Sequence, residues 1–181
     1  MVYRFKIVSV EKDRFRREIE IDSEATFMDL RNAILDSVGF SKDEINTFFI
    51  CGDDWKRHEE VAIEDFGSSS DQDLWLMEDT SLSELIEDEG QKVEFVFDAL
   101  TERSFNMILK EIKTGRNLTS PICTLKEGAA PTQHVDIDLF DKKIDALASK
   151  TTNDLGIDFY GDSEFNEDEI SDGFYNPEEE F

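Results

Sequence analysis

The sequence predicts an α+β fold: a mixed β-sheet of about six strands that opens with a hairpin, one main packing helix, a short second helix and a C-terminal helix. Three observations carry that expectation. Apolar and charged residues alternate over residues 2–10 and 14–21, the period switches to a helical one after Thr26, and period-two runs return after residue 47.

In the first run Tyr3, Phe5 and Ile7 share one face and Arg4 and Lys6 the other. In the second, Phe15, Ile19 and Ile21 oppose Arg16, Glu18 and Glu20. Alternation with β-branched and aromatic residues reads as two strands, and the polar Glu11-Lys12-Asp13 between them makes a hairpin. Thr26 followed by Asp29 resembles a capping box with Asp in place of Glu. Phe27, Leu30, Ile34 and Val38 then recur at helical spacing, and Gly39 supplies a C-cap. This helix should lay its apolar stripe on the hairpin.

Thr47–Cys51 reads as a third strand and residues 53–72 as a long charged excursion, followed by a short strand at Leu74–Met77. Thr80-Ser81-Leu82-Ser83-Glu84-Leu85-Ile86 opens a short capped helix, and Gly90 ends the turn. Val93–Asp98 and Arg103–Ile112 form a second pair of strands, and residues 113–136, with Pro121 and Pro131, read as loop. Leu139, Phe140, Ile144, Leu147 and Ala148 mark a last amphipathic helix. Trp75, in an apolar strand, reads as core; Trp55, in a polar loop, leaves an exposed contact open. The expected organisation is one α+β domain over residues 1–150 and a disordered acidic tail over 151–181.

Charge is the dominant compositional feature. The 181 residues carry 19 Lys and Arg against 44 Asp and Glu, a net −25. It is unevenly spread: residues 151–181 hold 11 acids and no Lys or Arg, whereas residues 1–17 hold six bases and two acids. Polyanion binding depends on Lys and Arg neutralising phosphates, so the overall field argues against nucleic acid as a partner. The local exception is the first hairpin, where Arg14, Arg16 and Arg17 form a candidate anion-binding face, against the alternative of a solvated sheet face with cross-strand Arg–Glu pairs. In the tail, single aromatics punctuate the acids at Phe159, Tyr160, Phe165, Phe174, Tyr175 and Phe181. Such spacing suits either a solubilising tail or docking onto a protein partner's groove or basic surface. No apolar run approaches the length of a membrane span, and the strand-like N-terminus carries no signal-peptide core, so a cytoplasmic protein is expected. Cys51 and Cys123 lie far apart without Cys-x-x-Cys spacing and are read as buried or half-buried thiols.

Chemistry-bearing motifs are sparse. Cys51 and His58 with Asp53 and Asp54 make an incomplete zinc set, and Cys123, His134 and Asp136 would need a spatial approach that spacing does not supply. The acidic 162–172 stretch lacks the ordered pattern of a calcium loop. No phosphate loop of the Gly-x-x-x-x-Gly-Lys type and no Gly-x-Ser-x-Gly elbow occurs. No cofactor or metal is expected.

Several runs resemble a known family. Tyr3-Arg-Phe-Lys-Ile7, Phe15-Arg-Arg-Glu-Ile19 and Thr26-Phe-Met-Asp-Leu30-Arg-Asn-Ala-Ile34 are similar to the opening strands and the Thr-Phe-x-x-Leu-x-x-Ala-Ile helix of the plasmid pRi ORF-3-like family. Leu82-Ser-Glu-Leu85, Glu89-Gly90 and Lys92-Val-Glu-Phe95-Val-Phe97-Asp98 resemble its later motif, and Pro121, Cys123, Gly128 and Pro131 its late loop. The resemblance spans residues 1–137 and implies a compact α+β domain with no established activity. The chain departs from the family where the latter continues Tyr-Asp-Phe-Gly-Asp-x-Trp-x-His: Ala99, Leu100, Thr101, Arg103 and Phe105 stand there instead. Pro131-Thr132-Gln133-His134 likewise replaces Pro-Pro-Glu-Asp. A polar site built from those family residues would be largely lost here.

The reading that follows is a non-enzymatic protein-interaction module, with the acidic tail as its docking segment. Two alternatives remain open: an unrecognised or degenerate enzyme with a polar cleft at Asp98, Arg103 and His134, and a DNA-associated protein using the basic hairpin.

Overall fold

Strand β1 (Val2–Ser9) and strand β2 (Arg16–Asp22) pair antiparallel, with Tyr3 opposite Ile21 and Phe5 opposite Ile19. The computed structural model describes residues 1–65 and 74–135, which lie in a unit spanning Met1–Val135. The expected C-terminal helix, the 150/151 domain boundary and the acidic tail with its aromatics lie outside the described residues.

Because side chains alternate across a strand, Tyr3, Phe5, Ile7, Ile19 and Ile21 all point inward and are at most 2% exposed. The helix follows at once. In α1 (Phe27–Val38), the Asp29 N–H donates to Thr26 Oγ1 at 3.2 Å and the Thr26 N–H donates to Asp29 Oδ2 at 3.1 Å. That is the reciprocal cap expected from the sequence. Gly39, at φ 73°, ends the helix with its N–H donating to the Leu35 carbonyl. Phe27, Leu30, Ile34 and Leu35 are fully buried against the sheet, with Phe27 edge-on to Phe48 at 5.4 Å.

Next come β3 (Thr47–Cys51), β4 (Arg57–Ala62), β5 (Leu74–Leu76), α2 (Leu82–Leu85), β6 (Lys92–Asp98), β7 (Arg103–Lys113) and β8 (Ile122–Glu127). The strands form one sheet in the order β5-β4-β3-β6-β7-β1-β2-β8. It is antiparallel throughout except for the β4–β5 pair, which is parallel. The helix starts are tied together: the Phe27 N–H donates to the Thr80 carbonyl and the Leu82 N–H to the Ala25 carbonyl. Tyr3 Oη donates to the Ile86 carbonyl at 2.7 Å, so the polar end of a buried ring is satisfied where α2 ends. Trp75 is half-buried and packs against the core, as expected; Trp55 is also half-buried, with Lys92 Nζ 5.4 Å from its ring centroid.

The mixed α+β class holds, but the strand number needs correction: eight strands are present among the described residues instead of about six. The two missed strands share a physical reason. In β4, Arg57, His58, Glu59 and Glu60 are all exposed and only Val61 and Ala62 are buried, so no alternation marks it within the supposed excursion. In β8, a bulge between Glu18 and Ile19 of its neighbour leaves Thr124 unmatched. Cys123 and Lys126, opposite the inward Ile19 and Arg17, are then spaced by three, and no residue of the strand is fully buried to mark it as one.

Candidate functional site

The polar cluster expected from the sequence lies at the end of the sheet where the β6–β7 turn, the β1–β2 turn and the loop after β8 meet. Asp98 accepts from the Leu100 N–H at 3.1 Å and from Thr101 Oγ1 at 2.6 Å, closing its own turn. Arg103 lies across that turn, 3.7 Å from Asp98 Oδ2. Its Nε and Nη2 both donate to the Glu11 carboxylate at 2.8 Å, and Nη2 and Nη1 also reach the Thr132 and Gln133 carbonyls. The guanidinium stands 5.1 Å from the centroid of the Phe97 ring. Hydrogen bonding to Glu11 raises its pKa further. His134 takes a different direction: its Nε2 lies 3.4 Å from Glu44 Oε1, on the loop between α1 and β3. Asp98 and Arg103 thus meet, while the imidazole of His134 pairs elsewhere. Arg103 is a brace joining four segments, and its donors are committed to protein acceptors.

The three hairpin arginines separate in the same way. Arg16 is paired with Glu18. Arg17 is only 6% exposed and lies 4.5 Å over the Phe15 ring. It donates solely to carbonyls, those of Arg16, Ser37, Glu127 and Gly128. Burial lowers its pKa, and its role is to clamp the end of α1 to the end of β8. Arg14 is exposed with no ion pair among the described residues.

The outer sheet face is tied by cross-strand ion pairs. Glu18, on β2, accepts from Arg4 and Arg16; Arg57 makes a two-pronged bond to Glu94, which also accepts from Ser104 Oγ at 2.7 Å. Burial pushes the Glu18 carboxyl upward, but the hydrogen bonds from Arg4 and Arg16 together outweigh it and the net shift is down. Glu94 is also lowered, first by its bond from Arg57. Depressed folded-state values mean stabilisation that is complete above the ordinary carboxylate range and lost as pH falls through the folded values. The urea midpoint should therefore decline on acidification below about pH 4.5. Glu94→Gln, measured over the same series, should flatten that decline; an unchanged profile would show that Glu94 has no part in it.

Two hollows stand out. One, of about 510 Å³, lies between the end of β3 and the α2–β6 loop, with Asp53, Glu87, Asp88 and Lys92 on its rim. Cys51 lines it, buried, its thiol pKa pushed up by desolvation. The other, of about 370 Å³, runs between α1 and β8 and is lined by Asp29, Asn32, Asp36, Pro121, Cys123 and Lys126 among others. Asp29, Asn32 and Asp36 fall three, four and seven apart on one face of the helix, so the turn of α1 aims them together along β8. Sequence reading missed this groove, because its second wall was taken for loop. Among the described residues no backbone group pairs with the outer side of β8.

Comparisons with known proteins fit this architecture. The chain has the fold of a solved protein of unknown function from Methanosarcina mazei Go1, at 19% identity and a TM-score of 0.58, covering 87% of this chain and 91% of that one. Among curated proteins nothing matches. The model of the plasmid pRiA4b ORF-3-like protein family matches residues 1–172, well beyond the 137 residues over which individual motifs could be recognised. The chain belongs to that family.

Proposed function

We propose that the protein is a non-enzymatic interaction module that receives an extended segment of another protein along the β8 edge of its sheet. The observation that carries this is β8. It is six residues long, contains no proline, and ends the sheet with nothing paired to its outer side among the described residues. An edge strand whose outer backbone groups are unpaired is a template for an added strand. The commitment of Arg103 to Glu11, Asp98 and two carbonyls supports the same reading, since it leaves that cluster a structural task.

The acidic segment 151–181 is proposed as a second contact. Its 11 acids without Lys or Arg favour a basic partner, with Phe159, Tyr160, Phe165, Phe174 and Tyr175 as docking aromatics.

Panning a library of random peptides against the full chain tests the edge. Selected peptides should slow deuterium exchange in residues 122–127 and leave the Asp98–Arg103 turn unaffected. Protection centred on that turn would contradict the proposal. Truncation after Lys150 should weaken capture of a basic partner without abolishing strand addition; unchanged capture would remove the tail from the proposal.

A further inference from the structure

We infer that the segment added to β8 alternates basic and apolar residues, with a Lys or Arg side chain seated in the groove between α1 and β8; this rests on β8 being the docking edge. A strand added to an edge lies about 4.8 Å from its neighbour and sends alternate side chains to opposite faces of the sheet. The two faces beside β8 differ sharply. On the inner face, Asp29 and Asp36 of α1 border the groove, with the Asn32 amide between them and Cys123 and Pro121 along its side. Asp29 spends Oδ2 on the cap of α1, and Asp36 is exposed and shares a surface ion pair with Lys42.

A long aliphatic stem ending in a cation fits that geometry: apolar contact along Cys123, Pro121 and Ala33, and charge against the two carboxylates. Among the described residues lining the groove Lys126 is the one cation, and Asp36 also pairs with Lys42. On the outer face the incoming side chain meets Ile122, 47% exposed, and Leu125, half-buried, which favours an apolar residue. The net charge of −25 works in the same direction, steering basic segments in and opposing pairing of β8 with a second copy of the chain.

The test uses the full chain and a fluorescein-labelled octapeptide, Thr-Val-Lys-Val-Arg-Val-Lys-Ser. Its counterparts carry Glu at the three basic positions, or N-methyl groups on every second residue. Fluorescence anisotropy should show the basic peptide binding and both counterparts binding about tenfold or more weakly, since one loses the charge match and the other the strand hydrogen bonds. Asp36→Lys, a change on the exposed face of α1, should weaken the basic peptide about fivefold. Equal affinity of the N-methylated peptide, or no effect of Asp36→Lys, would overturn the inference. So would a dimer joined through β8 in sedimentation measurements. Should panned peptides protect residues 122–127 without alternating basic residues, the docking edge stands and this inference alone fails. Should nothing protect that strand, both fail.

Discussion

Phe105→Ala is expected to cost about 4 kcal/mol, the middle of the range for truncating a buried aromatic. Phe105 is fully buried where three segments meet. Its ring stacks on Phe15 of the β1–β2 connection at 4.9 Å, tilts against Phe97 of β6 at 4.6 Å and faces Phe40, just past α1, at 6.1 Å. Removing it opens a cavity lined by rings whose backbones are fixed by β6, β7 and the Arg17 clamp, so little collapse can compensate. The fall in Tm should be roughly 15 °C for a unit of this size. A loss under about 1 kcal/mol would mean that these segments can close around the gap, contrary to the packing described.

Gly128→Ala should cost about 3 kcal/mol, for two separate reasons. Gly128 sits at φ 69°, a left-handed conformation that an alanine adopts only with strain. A Cβ there would also stand 2.2 Å from the Arg14 carbonyl oxygen, and that atom is backbone. It cannot move far, because Arg16 opposite Glu127 and the Arg17 bonds to the Glu127 and Gly128 carbonyls hold the two segments together. Gly39→Ala is the matched control: φ is 73° but nothing lies within 4 Å of its Cβ, so only the conformational part, about 1 kcal/mol, should be lost. Equal losses at the two glycines, measured by urea denaturation, would show that the close approach of Gly128 to Arg14 contributes nothing.

Much of this architecture could be read from residue order. The hairpin, α1 with its Thr26–Asp29 cap and Gly39 stop, and the β6–β7 pair all obey one period each, because one face carries the apolar core and the other mostly charged and polar side chains. The failures occur where that condition breaks. β4 pairs through its backbone while its first four side chains stay exposed, and β8 carries a bulge that resets its alternation. The candidate sites follow the same division. Asp98 and Arg103 are near in sequence and meet in a turn, whereas His134 sits on a loop whose path is set by Gln133 bonding Ser41 and by Glu44, which local pattern does not encode. Asp29, Asn32 and Asp36 share one side of α1. They become one wall of a groove only because β8 is a strand, and the bulge had hidden it.

Residue-resolved amide exchange on β8 tests the docking edge most directly. In the free protein, the amides of residues 122–127 that point toward β2 should exchange slowly and those on the opposite side fast. Adding the Thr-Val-Lys-Val-Arg-Val-Lys-Ser peptide should slow the outward set specifically. Outward amides already protected in the free chain, or unchanged at saturating peptide, would contradict a free edge that accepts a strand.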